Sequence, residues 1–171
     1  MDADDLYGLP LERFIPERGK LAKELKAAGE RDQAAEVAPL RKPSVAAWAV
    51  NQLVRTQPKA ISALFKAGDA LGTAQEKVLA GRGDGGDLRT GVEREREAVS
   101  RLLEKARGLL TSEGHEMSPA VLDRVSDTLH AAALDDNARA QVRAGRLVRE
   151  LRHAGLGVGG AGPVAPARGK A

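Results

Sequence analysis

The sequence predicts an all-α protein of six or seven helices in a bundle-like arrangement. Aromatic residues make up only 2% of the 171 positions although 42% are hydrophobic, so the aromatic material that strands favour is scarce. Nowhere do six residues alternate cleanly, or form a β-branched run between turns. Glycine and proline punctuate the chain, and apolar residues recur at helical spacing between these stops.

Each element follows from that punctuation. Leu6 and Leu9 belong to an apolar lead-in that ends at Pro10. Pro16 suits the first turn of a helix, where its missing N–H costs nothing. Leu21, Leu25 and Ala28 continue that helix, and Gly29 is its stop. A shorter helix is predicted over residues 30–38, broken by Pro39. The next begins at Pro43 and Ser44 and ends near Thr56. Pro58 opens a longer helix carrying Ile61, Leu64, Phe65, Leu71, Val78 and Leu79. Gly68 and Gly72 lie on that same face, and each costs about 1 kcal/mol of helix propensity against alanine, which predicts a closely approaching neighbour.

Residues 81–87, rich in glycine, are predicted to form a flexible loop joining two helical halves. A charged helix then covers residues 88–112, with an apolar stripe of Val92, Val99, Leu102, Leu103, Ala106, Leu109 and Leu110. The seven-residue recurrence of Val92, Val99 and Ala106 fits a short coiled-coil-like hairpin. Ser118 and Pro119 cap and open a helix reaching Leu134. Asp135 and Asp136 start a last helix, predicted to run to Ala154 and to stop at Gly155. Residues 1–155 thus read as a single helical domain, and the Gly/Pro-rich residues 156–171 as a disordered tail.

Composition narrows function. The absence of cysteine excludes a disulfide scaffold, a thiolate zinc site and a cysteine nucleophile. With 27 basic against 24 acidic residues, the net charge of +3 permits contact with an anionic partner without demanding it. No apolar run is long enough to cross a membrane, and the acidic N-terminus lacks the basic and apolar regions of a signal peptide, so a cytoplasmic location is expected.

Three constellations stand out. The helix after Pro43 is apolar on most sides, through Val45, Ala46, Ala49, Val50, Leu53 and Val54, as expected of a buried or interfacial helix. Its remaining stripe is Ser44, Trp48, Asn51 and Arg55. That stripe reads either as a contact for a partner or as the rim of a central core helix whose Trp caps the core edge. Residues 33–55 also admit a helix-turn-helix reading, with Arg41, Lys42 and Ser44 placed against phosphates or base edges. Against it stand Pro39 at a turn position that often needs glycine, and Ala46, Ala47 and Val50 where outward polar side chains are needed.

The last helix, as predicted, carries Arg139, Arg143, Arg146, Arg149 and Arg152 opposite Ala140, Ala144, Leu147, Val148 and Leu151. Such a basic amphipathic helix suits phosphate backbones or an anionic surface, or is simply a solvated face. Its apolar side lacks aromatic bulk, which argues against membrane insertion. For catalysis the signal is thin. His130 shares a face with Asp123 and Asp127, but a catalytic zinc needs three protein ligands, and His115 and His153 fall in a loop and at a helix end. No catalytic, cofactor-binding or metal-ligating residue is predicted. The expected function is a non-catalytic helical interaction module that binds a protein partner or self-associates. The alternative is a DNA-binding protein using the segment at 33–55 and the basic C-terminal helix.

The strings beginning at Asp5 (DLYGLPLERF), Leu40 (LRKPSVAAWAVNQLVR) and Val125 (VSDTLHAAA) resemble an uncharacterised helical family of high-GC Gram-positive bacteria. The resemblance spans residues 5–153. It implies a helical fold and brings no activity, cofactor, partner or site residue to carry over.

Overall fold

In a computed structural model, which describes residues 1–112 and 116–152, the chain is all-helical. Side chains are described outside 110–115, so the predicted stripe residue Leu110 falls outside that set, as do His115, His153 and the predicted tail at 156–171. Two short 3-10 turns, Asp5–Gly8 and Leu11–Arg13, lead into α1 (Phe14–Ala27). There follow α2 (Arg31–Val37), α3 (Val45–Thr56), α4 (Pro58–Leu79), α5 (Gly85–Ser112), α6 (Pro119–Leu134) and α7 (Asp136–Ala144).

The helix ends obey capping chemistry. The Ser44, Ser118 and Asp135 side chains accept the backbone N–H of Ala47, Val121 and Ala138, satisfying donors that the first turn leaves free. Gly29 and Gly145 stop α1 and α7 with φ of 83° and 66°, a left-handed conformation that glycine adopts without steric cost.

Two helix limits differ from the sequence expectation. α5 starts at Gly85, not at 88, because the Asp84 carboxylate accepts the N–H groups of Gly86 and Asp87 and so caps the helix through two glycines. The glycine-rich connection is correspondingly short. α7 ends at Ala144, ten residues before the predicted 154, because Gly145 turns the chain left-handed. Residues 146–152 form no helix but a strap running back along the protein.

α3 is the centre. Every residue from Ala46 to Leu53 is buried, and α4, α5, α6, α7 and the first 3-10 turn all pack against it. Trp48, Val50, Leu53, Leu64, Phe65, Val99, Leu102, Ala106, Val125, Leu129 and Val142 join one core drawn from both sides of the glycine-rich connection. A smaller cluster of Leu6, Tyr7, Phe14, Leu21, Ala22 and Val37 sits under α1 and α2, with the Tyr7 and Phe14 rings edge to face at 5.4 Å. α4 and α5, joined by a short turn, lie side by side, with Gly91 of α5 against the backbone of Leu71.

The expected close approach at the α4 glycines holds at one of them. A Cβ on Gly68 would stand 2.6 Å from the Ala133 carbonyl carbon of α6, whereas a Cβ on Gly72 would meet nothing within 4 Å. Opposite outcomes are therefore expected. Gly68→Ala collides with backbone, which cannot rotate away, and should cost about 1–3 kcal/mol as overpacking. Gly72→Ala relieves the helix of a flexible residue and should stabilise it by about 0.5–1 kcal/mol. Urea denaturation of the two variants checks this, and shifts of the same sign would refute the assigned α4–α6 contact.

Candidate functional site

The stripe of Ser44, Trp48, Asn51 and Arg55 faces two segments lying along α3: residues 4–9, which include the first 3-10 turn, and the C-terminal strap. Trp48 is 4% exposed, and its indole N–H donates to the Leu9 carbonyl at 2.8 Å. Gln52, beside it, donates to the Tyr7 carbonyl at 2.7 Å. On the other flank, Asn51 holds Leu147 twice: its amide donates to the Leu147 carbonyl and its oxygen accepts the Leu147 N–H, both at 2.9 Å. Ser44 accepts nothing from the strap but donates to it, its N–H reaching the Val148 carbonyl at 2.9 Å and its hydroxyl the Glu150 carboxylate at 2.7 Å. Thr128 of α6 accepts the Leu151 N–H at 3.0 Å and fixes the strap's far end.

Arg55 joins the two flanks. It donates to the carbonyls of Gly145, at 2.6 Å, and Asp4, at 2.9 Å, and pairs with the Asp4 carboxylate at 3.1 Å. Arg146 closes the loop from the strap side, bonding the same carboxylate at 2.9 Å and lying over the Tyr7 ring. The Arg146 hydrogen bond is the largest influence holding the Asp4 carboxyl below its ordinary value, aided by Arg55 and opposed by partial burial. Glu150 is likewise held below the ordinary glutamate value, first by its own backbone N–H and then by the Ser44 hydroxyl. Burial pushes the Tyr7 phenol up.

This polar seam decides where the sequence candidates fall. Ser44, Trp48, Asn51 and Arg55 are committed to internal contacts. The helix-turn-helix docking at 33–55 does not fit the fold: a reading helix must offer a polar face to the groove, and α3 is enclosed from Ala46 to Leu53. Nor do the five arginines line one helix. Arg139 and Arg143 lie on α7, while Arg146, Arg149 and Arg152 follow its end. Arg139 is largely buried, bonding the Ala132 and Ala133 carbonyls and Asp69, and both it and Arg143 stack on the Phe65 ring, at 5.0 and 4.9 Å.

His130 is half-buried. Its Nδ1 lies 2.5 Å from the carboxylate of Glu95, which is 3% exposed in the apolar stripe of α5. Asp123 and Asp127 remain exposed. Among the described residues, no group of three metal-ligating side chains assembles.

Arg41, Lys42 and Arg149 are exposed, and their side chains make no hydrogen bond or ion pair among the described residues. Arg41 and Arg149 meet Arg146 around an open groove of about 540 Å³. Its floor is Ala144, Val148 and Leu151, with the buried Leu147 beneath. Each of the three arginines is a candidate from sequence, but their meeting is not, since Arg41 lies more than 100 positions from the other two. No helix among the described residues is long and apolar enough to cross a membrane. In comparisons with known proteins, no family model, no curated protein and no solved structure matches this chain.

Proposed function

We propose that this chain is a non-catalytic helical interaction module that binds a protein partner in the groove between Arg41 and the C-terminal strap. The observation that supports it is the contrast between two sets of polar groups. Those of the α3 stripe are consumed in holding the fold, whereas Arg41 and Arg149 stand exposed beside half-buried Val148 and Leu151. Cations on flexible stems around an apolar floor combine the orienting and burying groups from which interfaces are built.

The α3 seam gives the groove its rigidity. The strap that supplies most of its lining is fixed at Leu147, Val148, Glu150 and Leu151, and Gly145 before it is held by Arg55. Partner binding therefore orders little new chain, which lowers its entropic cost.

A photo-crosslinking residue at position 149, with a control at the exposed Lys23 of α1, tests the reading in cells of the source. A discrete protein adduct at 149, absent at 23, is expected. Equal labelling at both positions, or none at 149, would refute it.

A further inference from the structure

The geometry points to the chemical class of that partner: we infer that the groove takes an acidic, apolar-containing segment of another protein, with carboxylates on the arginine rim and aliphatic or aromatic side chains on the floor. This inference rests on the interaction-module reading and adds the identity of the occupant.

The rim contributes the charge. Arg41 has no acidic partner among the described residues, Arg149 makes no ion pair there although its charge acts on Glu150, and Arg146 spends its Nε on Asp4. The acidic side chain of the strap, Glu150, bonds the Ser44 hydroxyl and is shared between the charges of Arg124 and Arg149. The three guanidinium groups thus outnumber the two carboxylates near them, Asp4 and Glu150, which are also shared with Arg55 and Arg124, and a guanidinium pairs with a carboxylate through two parallel N–H···O bonds.

The floor decides between anionic partners. Ala144, Val148 and Leu151 line the groove with methyl groups. A nucleic-acid backbone is dominated by phosphate and has no aliphatic side chain to cover them, and the modest net charge of +3 gives little of the long-range attraction on which phosphate binding relies. A peptide segment supplies both functions, since its apolar side chains gain by leaving water while its carboxylates meet the rim. A volume of about 540 Å³ accommodates a few side chains, the size of an anchor cluster rather than of a whole folded face.

Selection of a random 12-residue phage-displayed peptide library on the full chain tests the inference. The expected binders interleave Asp or Glu with Leu, Ile or Phe. A synthetic representative should bind the wild-type chain and lose affinity by at least about tenfold on the double variant R41E/R149E, with no change on K23E. Both side chains are exposed and make no hydrogen bond or close ion pair among the described residues, so they can be reversed, and circular dichroism verifies the helix content. Binders lacking acidic residues, acidic binders indifferent to R41E/R149E, or failure to select any binder would overturn the inference. So would a random duplex or a second copy of the chain bound in an R41E/R149E-sensitive manner. Failure here alongside a position-149 crosslink overturns the acidic occupant alone; loss of the crosslink overturns the module reading itself.

Discussion

Trp48→Ala should destabilise the protein by about 3–5 kcal/mol, the range for truncating a large buried side chain. The ring is 4% exposed, in the core shared by α3 to α7. Against a typical domain stability of about 5–15 kcal/mol, such a loss is severe. Trp48→Phe keeps most of the packing and removes only the bond to the Leu9 carbonyl. It should cost about 1 kcal/mol more than the lost area implies. The wild-type chain, with its single tryptophan, should emit well to the blue of tryptophan in water. Urea denaturation followed by circular dichroism measures both variants. A loss under about 1 kcal/mol for Trp48→Ala would contradict the burial of the ring.

That outcome bears on what was legible in the sequence. The burial of α3 was written in its composition: Val45 to Val54 offer apolar groups on most sides, and such a helix belongs at a centre. The caps were legible for the same local reason. Ser44, Ser118 and Asp135 precede their helices, and the side chain that caps each is within three residues of the N–H it accepts.

The C-terminal strap was harder. Gly145 is an ordinary helix stop, and its φ of 66° shows it acting as one. The arginines at near-helical spacing on either side of it, from Arg139 to Arg152, carried the predicted helix through. Their periodicity continues past the stop because the arginines serve separate ends. Arg139 bonds Asp69, Arg146 bonds Asp4, and Arg149 stays exposed. Glu95 left a fainter signal, a carboxylate within the apolar stripe three residues after Val92 and four before Val99. Its partner, His130, lies 35 positions on. No spacing rule within one helix connects the two, just as none connects Asn51 with Leu147, 96 positions apart.

Asn51 makes that long-range dependence measurable. It is fully buried, and both halves of its amide are matched to the backbone of one residue, Leu147. Asn51→Leu conserves the side chain's shape but leaves the Leu147 N–H and carbonyl without partners beside an apolar group. Each orphaned group costs about 1–3 kcal/mol. The strap can recover part of that loss by moving into water, because it lies outside the helices and is anchored by separate bonds to Arg55, Ser44 and Thr128. The penalty should therefore appear first as local opening. Tryptic cleavage after Arg146 and Arg149, both exposed, should accelerate by more than about tenfold, the change expected when an opening equilibrium shifts by over 1.4 kcal/mol. Ser44→Ala, which removes a helix cap and the bond to Glu150 but leaves the Leu147 pair intact, should have the smaller effect, about 1 kcal/mol. Cleavage of Asn51→Leu at the wild-type rate would mean that the strap is held by its apolar side chains, with the Asn51–Leu147 pair contributing nothing to its closure.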